Sequence, residues 1–288
     1  MAHGSGGPAI GVDVGGTKML VVARDPSGAL VAEAVVPTGP ATTGAWLERR
    51  IREFGETLDG RVARIAIAVP GLVVDHAEVR SCDVLPRLAG WRPDVDLVIN
   101  DIRAALASVV GDPRSDDRGP VLCVVAGTAI GAAFTDTGGC NVFDGADGWA
   151  GELGYLPMGP APDGRVQRLD DLAGGHALLA ALHLSAGDVH RRLAAGDPVV
   201  RSHVEAAGTA LGLGLAACVN LLNPRTLVLG GGTCRFAGYR DAAVRTAQVH
   251  SIPELWSALR VRRFADERRF AADGALAAAR NRGARGRS

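Results

Sequence analysis

A two-lobed α/β fold is the class this sequence predicts, on three observations. The stretches DVGGTKMLVVARDPSG, starting at Asp13, and VAGTAIGAAFTDTGG, starting at Val125, both read as strand, Gly/Thr turn, strand. In both halves strands then alternate with stretches of helical periodicity, the pattern of α/β layers. Between the halves lies GDPRSDDRGP, residues 111–120, a polar and turn-rich run suited to a boundary. The weak self-similarity implies two α/β lobes facing a cleft. The lobes are expected at 1–115 and 116–266, with a C-terminal helix near 267–280 packing back on the first.

The elements follow in order. AIGVDVG, KMLVVARD and LVAEAVVPT read as three short strands, with DPSGA as the turn between the second and third. GAWLERRIREFGETL has the apolar spacing of a helix. RIAIAVPG and VDLVIND read as buried strands, and IRAALASVV as a helix. After the polar run come strands at VLCVVAGT and AIGAAFTDTGG, with a further one expected at NVFDG. Residues 169–195 and 203–222 read as largely helical, TLVLGGG as a strand, RDAAVRTAQVH as a helix and LRVRRF as a strand.

Composition narrows the classes of function. The chain has 288 residues, enough for one large domain or two lobes with their own cores. Its formal net charge is zero, so nothing in it favours a nucleic-acid or membrane-surface partner. The arginine-rich end, Arg280 to Arg287, is expected to be a frayed terminus. Five cysteines, Cys82, Cys123, Cys140, Cys218 and Cys234, are widely spaced and form no CxxC, which suits reduced and mostly buried thiols. No basic-then-apolar leader opens the chain and no run of 18 apolar residues occurs. A cytoplasmic protein is expected.

Of the 31 basic residues, only Lys18 is lysine, and it ends the motif DVGGTK. Gly15 and Gly16 fall at a tight turn, where glycine accepts positive φ and lets a ligand approach backbone N–H groups. Thr17 adds a hydroxyl, Lys18 a charge, and Asp13 a carboxylate able to face a metal-bound phosphate. An ordinary Gly-Gly hairpin is the plainer alternative. The solitary lysine tips the balance: a compact ammonium fits a crowded phosphate turn better than a planar guanidinium. In LVINDIRAAL an apolar strand delivers Asn100 and Asp101 to its carboxyl end, where open α/β sheets bind ligands. Asp101 equally reads as the N-cap of the next helix. GTAIGAA, with Gly127 and Thr128, is a second turn able to receive phosphate on its backbone. NPRTLVLGGG runs a strand into Gly230, Gly231 and Gly232, flat enough for a planar group such as adenine.

DVGGTK, VPGLV, NDIRAA, GTAIG, WAGELGYLPMG and VNLLNPRTLVLGGG occur in the order and approximate spacing of the ROK family of glucokinase-like sugar kinases. The resemblance spans about residues 10–280 and implies the actin/hexokinase-type ATPase fold with a central cleft. It implies ATP and Mg²⁺ as cofactors, with Asp13 facing the Mg²⁺ through water. Asp13, Gly15, Gly16, Thr17 and Lys18 would form the first phosphate motif, Gly127 and Thr128 the second, and Gly230, Gly231 and Gly232 the adenosine motif. Asp101 matches the catalytic base, Asn100 its sugar-binding neighbour, and Glu152 a glutamate that contacts sugar hydroxyls.

The departures concern the acceptor. The family's usual Ile-Gly-His, whose histidine serves zinc and sugar, here ends in Tyr155. The cysteine-rich zinc segment is replaced by GPAPDGRVQRLDDLAGG, which has no cysteine, so a zinc-free member is expected. Asp170 stands near a family glutamate, Asp83 near a family asparagine, and GTGIGGG has become GTAIGAA. The expected partner is a small sugar or polyol: a modified hexose, an amino sugar or a C7-cyclitol, with ordinary glucose as the alternative. For assembly the expectation is a homodimer. Two rivals are weighed. A repressor of this family would carry a helix-turn-helix ahead of the kinase part, and only 12 residues precede Asp13. A non-catalytic sugar-binding relative is suggested by Ala129 and Ala132 and opposed by Asp13, Lys18 and Asp101.

Overall fold

The structure, a computed structural model, describes residues 6–110, 119–136, 138, 141–161 and 163–285. Most of the expected boundary run at 111–120, Cys140 and the far end of the arginine tail lie outside the described residues. In chain order the first elements are β1 (Ala9–Val14), β2 (Lys18–Arg24), β3 (Leu30–Pro37), α1 (Gly44–Glu56), β4 (Arg64–Val69), β5 (Leu72–Val74) and β6 (Glu78–Ser81). Next come β7 (Leu97–Asn100), α2 (Asp101–Val110), β8 (Val121–Ala126), β9 (Ile130–Phe134), β10 (Pro157–Pro160), β11 (Val166–Arg168), α3 (Leu169–Ala173) and α4 (Gly175–Leu182). The last are α5 (Ala186–Ala194), α6 (Pro198–Leu222), β12 (Thr226–Gly230), α7 (Tyr239–His250), α8 (Pro253–Ala258), β13 (Arg260–Arg262) and α9 (Phe270–Arg285). The chain divides into two compact units: Met1–Asp116 with Asp144–Trp149 and Arg268–Ser288, and Asp117–Phe143 with Ala150–Glu267.

The first unit is built on a five-stranded sheet in the order β3-β2-β1-β4-β7. β1 pairs antiparallel with β2 and parallel with β4, and β4 pairs parallel with β7. Its central strands are apolar on both faces because both faces are covered. On one face α1 starts at the Thr43 cap, whose hydroxyl accepts from Trp46 N, and buries Leu47 and Ile51 against Ile10, Val12, Val21 and Ile67. On the other face Ala66, Ala68 and Ile99 meet Ala104 of α2 and Ala271, Ala275 and Leu276 of α9. Small residues let these helices approach closely: a Cβ at Gly274 would overlap the Ala104 carbonyl oxygen. Arg24 pins α9 to β2 through Asp273 at 2.7 Å.

The second unit repeats the plan. Its sheet runs β13-β12-β8-β9, with β8 antiparallel to β9 and parallel to β12. Thus β8–β9–β12 copies β1–β2–β4. α6 is the central helix, opened by Asp197, whose carboxylate accepts from Val199 N and Val200 N, and closed by Asn223 in the left-handed region. α6 is apolar and long enough to cross a membrane, yet Val204, Leu211 and Leu215 are buried in this unit's core. At NVFDG the expected strand is absent: Val142 makes one isolated bridge to Thr135. Cys82 and Cys123 are buried free thiols, and Cys218 and Cys234 are half-buried.

Candidate active site

In the first unit the turn between β1 and β2 is closed by Gly15 N donating to Lys18 O at 2.8 Å. Thr38 braces it twice: its hydroxyl donates to Gly15 O at 2.6 Å and its N–H to Thr17 O at 3.0 Å. Gly15 and Gly16 do not have the positive φ expected of them. Crowding explains them instead. A Cβ on Gly15 would press on Lys18 O, and one on Gly16 would overlap the Val84 side chain. Thr17 and Lys18 are exposed at the turn, while Asp13 is partly covered on β1. Burial pushes the Asp13 carboxyl up to about 6, and the Lys18 ammonium acts in the opposite direction.

Asn100 ends β7 and Asp101 opens α2. The Asn100 amide oxygen accepts from Ile102 N at 3.0 Å and Arg103 N at 3.2 Å, which is N-capping geometry. Its amide nitrogen donates to Gly71 O at 3.0 Å. The cap is therefore Asn100, which corrects the reading of Asp101 as the cap. Asp101 is half-buried and accepts from Ile102 N at 2.9 Å. Burial raises the Cys82 thiol, the Leu85 and Val84 N–H groups act against it, and the Asp101 and Asp83 charges add smaller increases. Asp83 itself is exposed. In the loop Cys82–Val84, Val84 lies against Gly16 and Cys82 against Gly71, whose carbonyl Asn100 holds.

In the second unit Gly127 and Thr128 form the β8–β9 turn. Gly127 O accepts from Gly175 N at 2.9 Å and from the Thr233 hydroxyl at 2.8 Å, and Thr128 O accepts from His176 N at 3.0 Å. The turn is thus tied to the start of α4 and to the loop following Gly232. The glycine run is less open than its composition implies. Phe264 closes over Gly230, and Gly231, at φ 106°, lies against Ala126 O; only Gly232 has open space where a Cβ would be.

Glu152, Tyr155 and Asp170 also gather in this unit. Gly151 O accepts from Ala132 N at 2.8 Å, which fixes the approach to Glu152. Residues Leu153–Tyr155 form a 3-10 turn, and a Cβ on Gly154 would land on the Asp170 carboxylate. Asp170 accepts from Ile130 N at 2.7 Å. Burial raises its titration, while that hydrogen bond and Arg168 act the other way. Tyr155 is exposed with the Arg168 guanidinium over its ring at 4.2 Å.

Sequence reasoning missed the braces: Thr38, Gly71, Gly174–Gly175, Thr233 and Arg168. The hydroxyls and carbonyls among them act on residues distant in sequence, and only the small-residue pair Gly174–Gly175 left a local sign. Among the described residues no group of three or more His, Cys, Asp or Glu is placed to hold a metal ion. A carboxylate such as Asp13 beside a Gly/Thr turn would suit Mg²⁺, which keeps its waters and binds through one or two carboxylates plus phosphate oxygens.

Paired strand–turn–strand sheets of this kind define the actin/hexokinase-type ATPase fold. A ROK family glucokinase from Streptomyces griseus, solved with glucose and AMPPNP, superposes with a TM-score of 0.78 over 96% of this chain and 100% of its own, at 23% identity. The ROK family profile matches residues 9–281, so this chain belongs to the ROK family. It is 27% identical to the glucokinase of Halalkalibacterium halodurans, over 78% of this chain and 80% of that enzyme. It is 25% identical to the N-acetyl-D-glucosamine kinase of Yersinia pseudotuberculosis, over 78% and 84%. The protein is an ATP-dependent sugar kinase, a phosphotransferase with an alcohol acceptor.

Proposed function

We propose that this kinase phosphorylates a primary hydroxyl of a modified hexose or C7-cyclitol, with Asp101 as general base. One observation supports the role of Asp101: it follows the carboxyl end of β7, where open α/β sheets bind ligands, with Asn100 beside it supplying the N-cap bonds of α2. In the first unit Asp13, Gly15, Gly16, Thr17 and Lys18 would serve the nucleotide phosphates. In the second, Gly127 and Thr128 would serve phosphate and Gly230, Gly231 and Gly232 the adenosine. Bound Mg²⁺·ATP supplies the phosphoryl group and neutralises its charge. Asp13 would hold the Mg²⁺ through water, Lys18 would offer a compact ammonium to phosphate oxygens, and Asp101 would take the acceptor's hydroxyl proton. Such transfer rests mainly on positioning and charge stabilisation.

The acceptor reading rests on Glu152, Tyr155 and Asp170, with Asn100 and Asp83 as the further residues that the family resemblance implies. Carboxylates accept from hydroxyls, so a polyol with adjacent hydroxyls suits them. Ordinary glucose is the second reading, favoured by the glucokinase likeness. A coupled ADP-release screen over hexoses, amino sugars and cyclitols decides between them. The same reading has no zinc, a cytoplasmic location, no nucleic-acid or membrane partner, and a homodimer as its assembly.

A further inference from the structure

We propose that Arg168 is a positioning residue for the acceptor loop, holding Glu152 in place by clamping Tyr155. The inference deepens the acceptor reading above and rests on it. The loop is short and has little structure of its own: one 3-10 turn, Leu153–Tyr155, follows directly on Glu152. At its start Gly151 O is held by Ala132 N at 2.8 Å and by Leu153 N at 2.6 Å. At its end the chain enters β10, which pairs with β11 in the register Pro157 to Arg168. Arg168 therefore faces the exit of the loop across a two-stranded ribbon, an element marginal by itself.

Three contacts tie the loop to the entrance of α3. Leu169 N donates to Leu156 O at 2.9 Å. Gly154 packs on the Asp170 carboxylate with no room for a Cβ. The third is the Arg168 guanidinium over the Tyr155 ring at 4.2 Å. Only this third contact is made by side chains alone, and both are exposed. Tyr155 is 54% exposed, so hydrophobic burial does not hold the ring. The guanidinium is what fixes its face. Arg168 is itself anchored, because its N–H donates to Asp171 at 2.9 Å in the first turn of α3. The clamp runs from α3 through Arg168 to Tyr155, three residues beyond Glu152. A planar cation is the natural partner for an aromatic face; a Lys ammonium is attracted to the ring as well but cannot stack on it.

The test compares Arg168→Leu and Arg168→Lys, then Arg168→Leu again in a Tyr155→Leu background. For the best acceptor in the ADP-release screen, Arg168→Leu should raise the acceptor KM about two- to fivefold, the span an exposed cation–π contact supports. The ATP KM should not move. Arg168→Lys should recover part of the loss, and Arg168→Leu should add nothing once Tyr155 is Leu. Amide exchange gives a readout independent of activity. The N–H groups of Tyr155 and Leu156, bonded to Glu152 O and Leu153 O, should exchange faster in Arg168→Leu, while α6 is unchanged. If the wild type phosphorylates no sugar or polyol, the acceptor reading fails, and the exchange data alone decide the clamp. Equal KM effects in both backgrounds, an equal rise in ATP KM, or unchanged exchange at Tyr155 and Leu156 would overturn it.

Discussion

Asn100 and Asp101 are adjacent, polar and similar in size, yet their surroundings give them different work. Asn100 spends both ends of its amide on the backbone, capping α2 and holding Gly71. Its replacement by Ala should cost about 1 kcal/mol of stability, seen in denaturant unfolding. Asp101→Asn should leave stability nearly unchanged and lower kcat by about 10²- to 10⁴-fold. A near wild-type rate in that variant would remove the general base. Lys18 is exposed on the turn, so Lys18→Arg should keep the melting temperature and raise the ATP KM; unchanged ATP kinetics would make the solitary lysine a coincidence. Asp13 carries a pH signature. Its folded carboxyl titrates near 6 against an ordinary 3.8, so the native state holds the proton more tightly. Its contribution to stability therefore falls as pH rises from about 4 to 6, and stays lost above that. A cation at the phosphates favours the ionised form. Mg²⁺·ATP binding near pH 6 should then release more protons from the wild type than from Asp13→Asn, measured by titration calorimetry in two buffers. Equal release from both proteins would place Asp13 away from the phosphates.

At the scale of elements, what was legible followed length and periodicity. β1, β2, β4, β8 and β12 stand where apolar runs placed them, and α1 sits inside its periodic stretch. The β5–β6 and β10–β11 ribbons and α8 went unread because three to six residues carry no usable period. NVFDG has strand-like residues but only one bridging partner. The closing helix was placed near 267–280 and is found at Phe270–Arg285. Its alanines and glycine make no strong apolar stripe, so its partner was invisible until α2 supplied a backbone close enough to need them. Gly274→Ala tests that contact. The new methyl has the Ala104 carbonyl in its way, and neither backbone can move cheaply. A loss of about 1–3 kcal/mol is expected, although alanine is the better helix former. An unchanged or raised melting temperature would mean that α2 and α9 pack more loosely.

Over the whole molecule, the repeated strand–turn–strand plan was legible because a Gly-Thr pair recurs at its turn, within Asp13–Lys18 and Ala126–Ile130. The residues proposed for the site were legible as chemical types, while the contacts that aim them were not. Thr38, Thr233 and Arg168 act across long or irregular spacings. Gly16 and Gly230 answer to the Val84 and Phe264 side chains, neighbours that sequence spacing does not reveal. Within the second unit Glu152 and Asp170 are the acidic residues proposed for the acceptor, and Tyr155 adds one hydroxyl in place of an imidazole. A site built to bond particular hydroxyls rejects an analogue lacking them far more strongly than one lacking a methylene. An amino sugar or cyclitol should therefore exceed glucose in kcat/KM, and glucose leading the screen would refute this. Tyr155 and the cysteine-free segment that follows it also imply that chelator-free protein contains no stoichiometric zinc by elemental analysis. Glu152→Gln completes the test. The amide keeps the shape but removes the charge proposed to accept from the acceptor's hydroxyls, so the acceptor KM should rise about tenfold with the ATP KM unchanged. If the acceptor KM stays at its wild-type value, Glu152 is not in the acceptor site, and the polyol reading loses its central carboxylate.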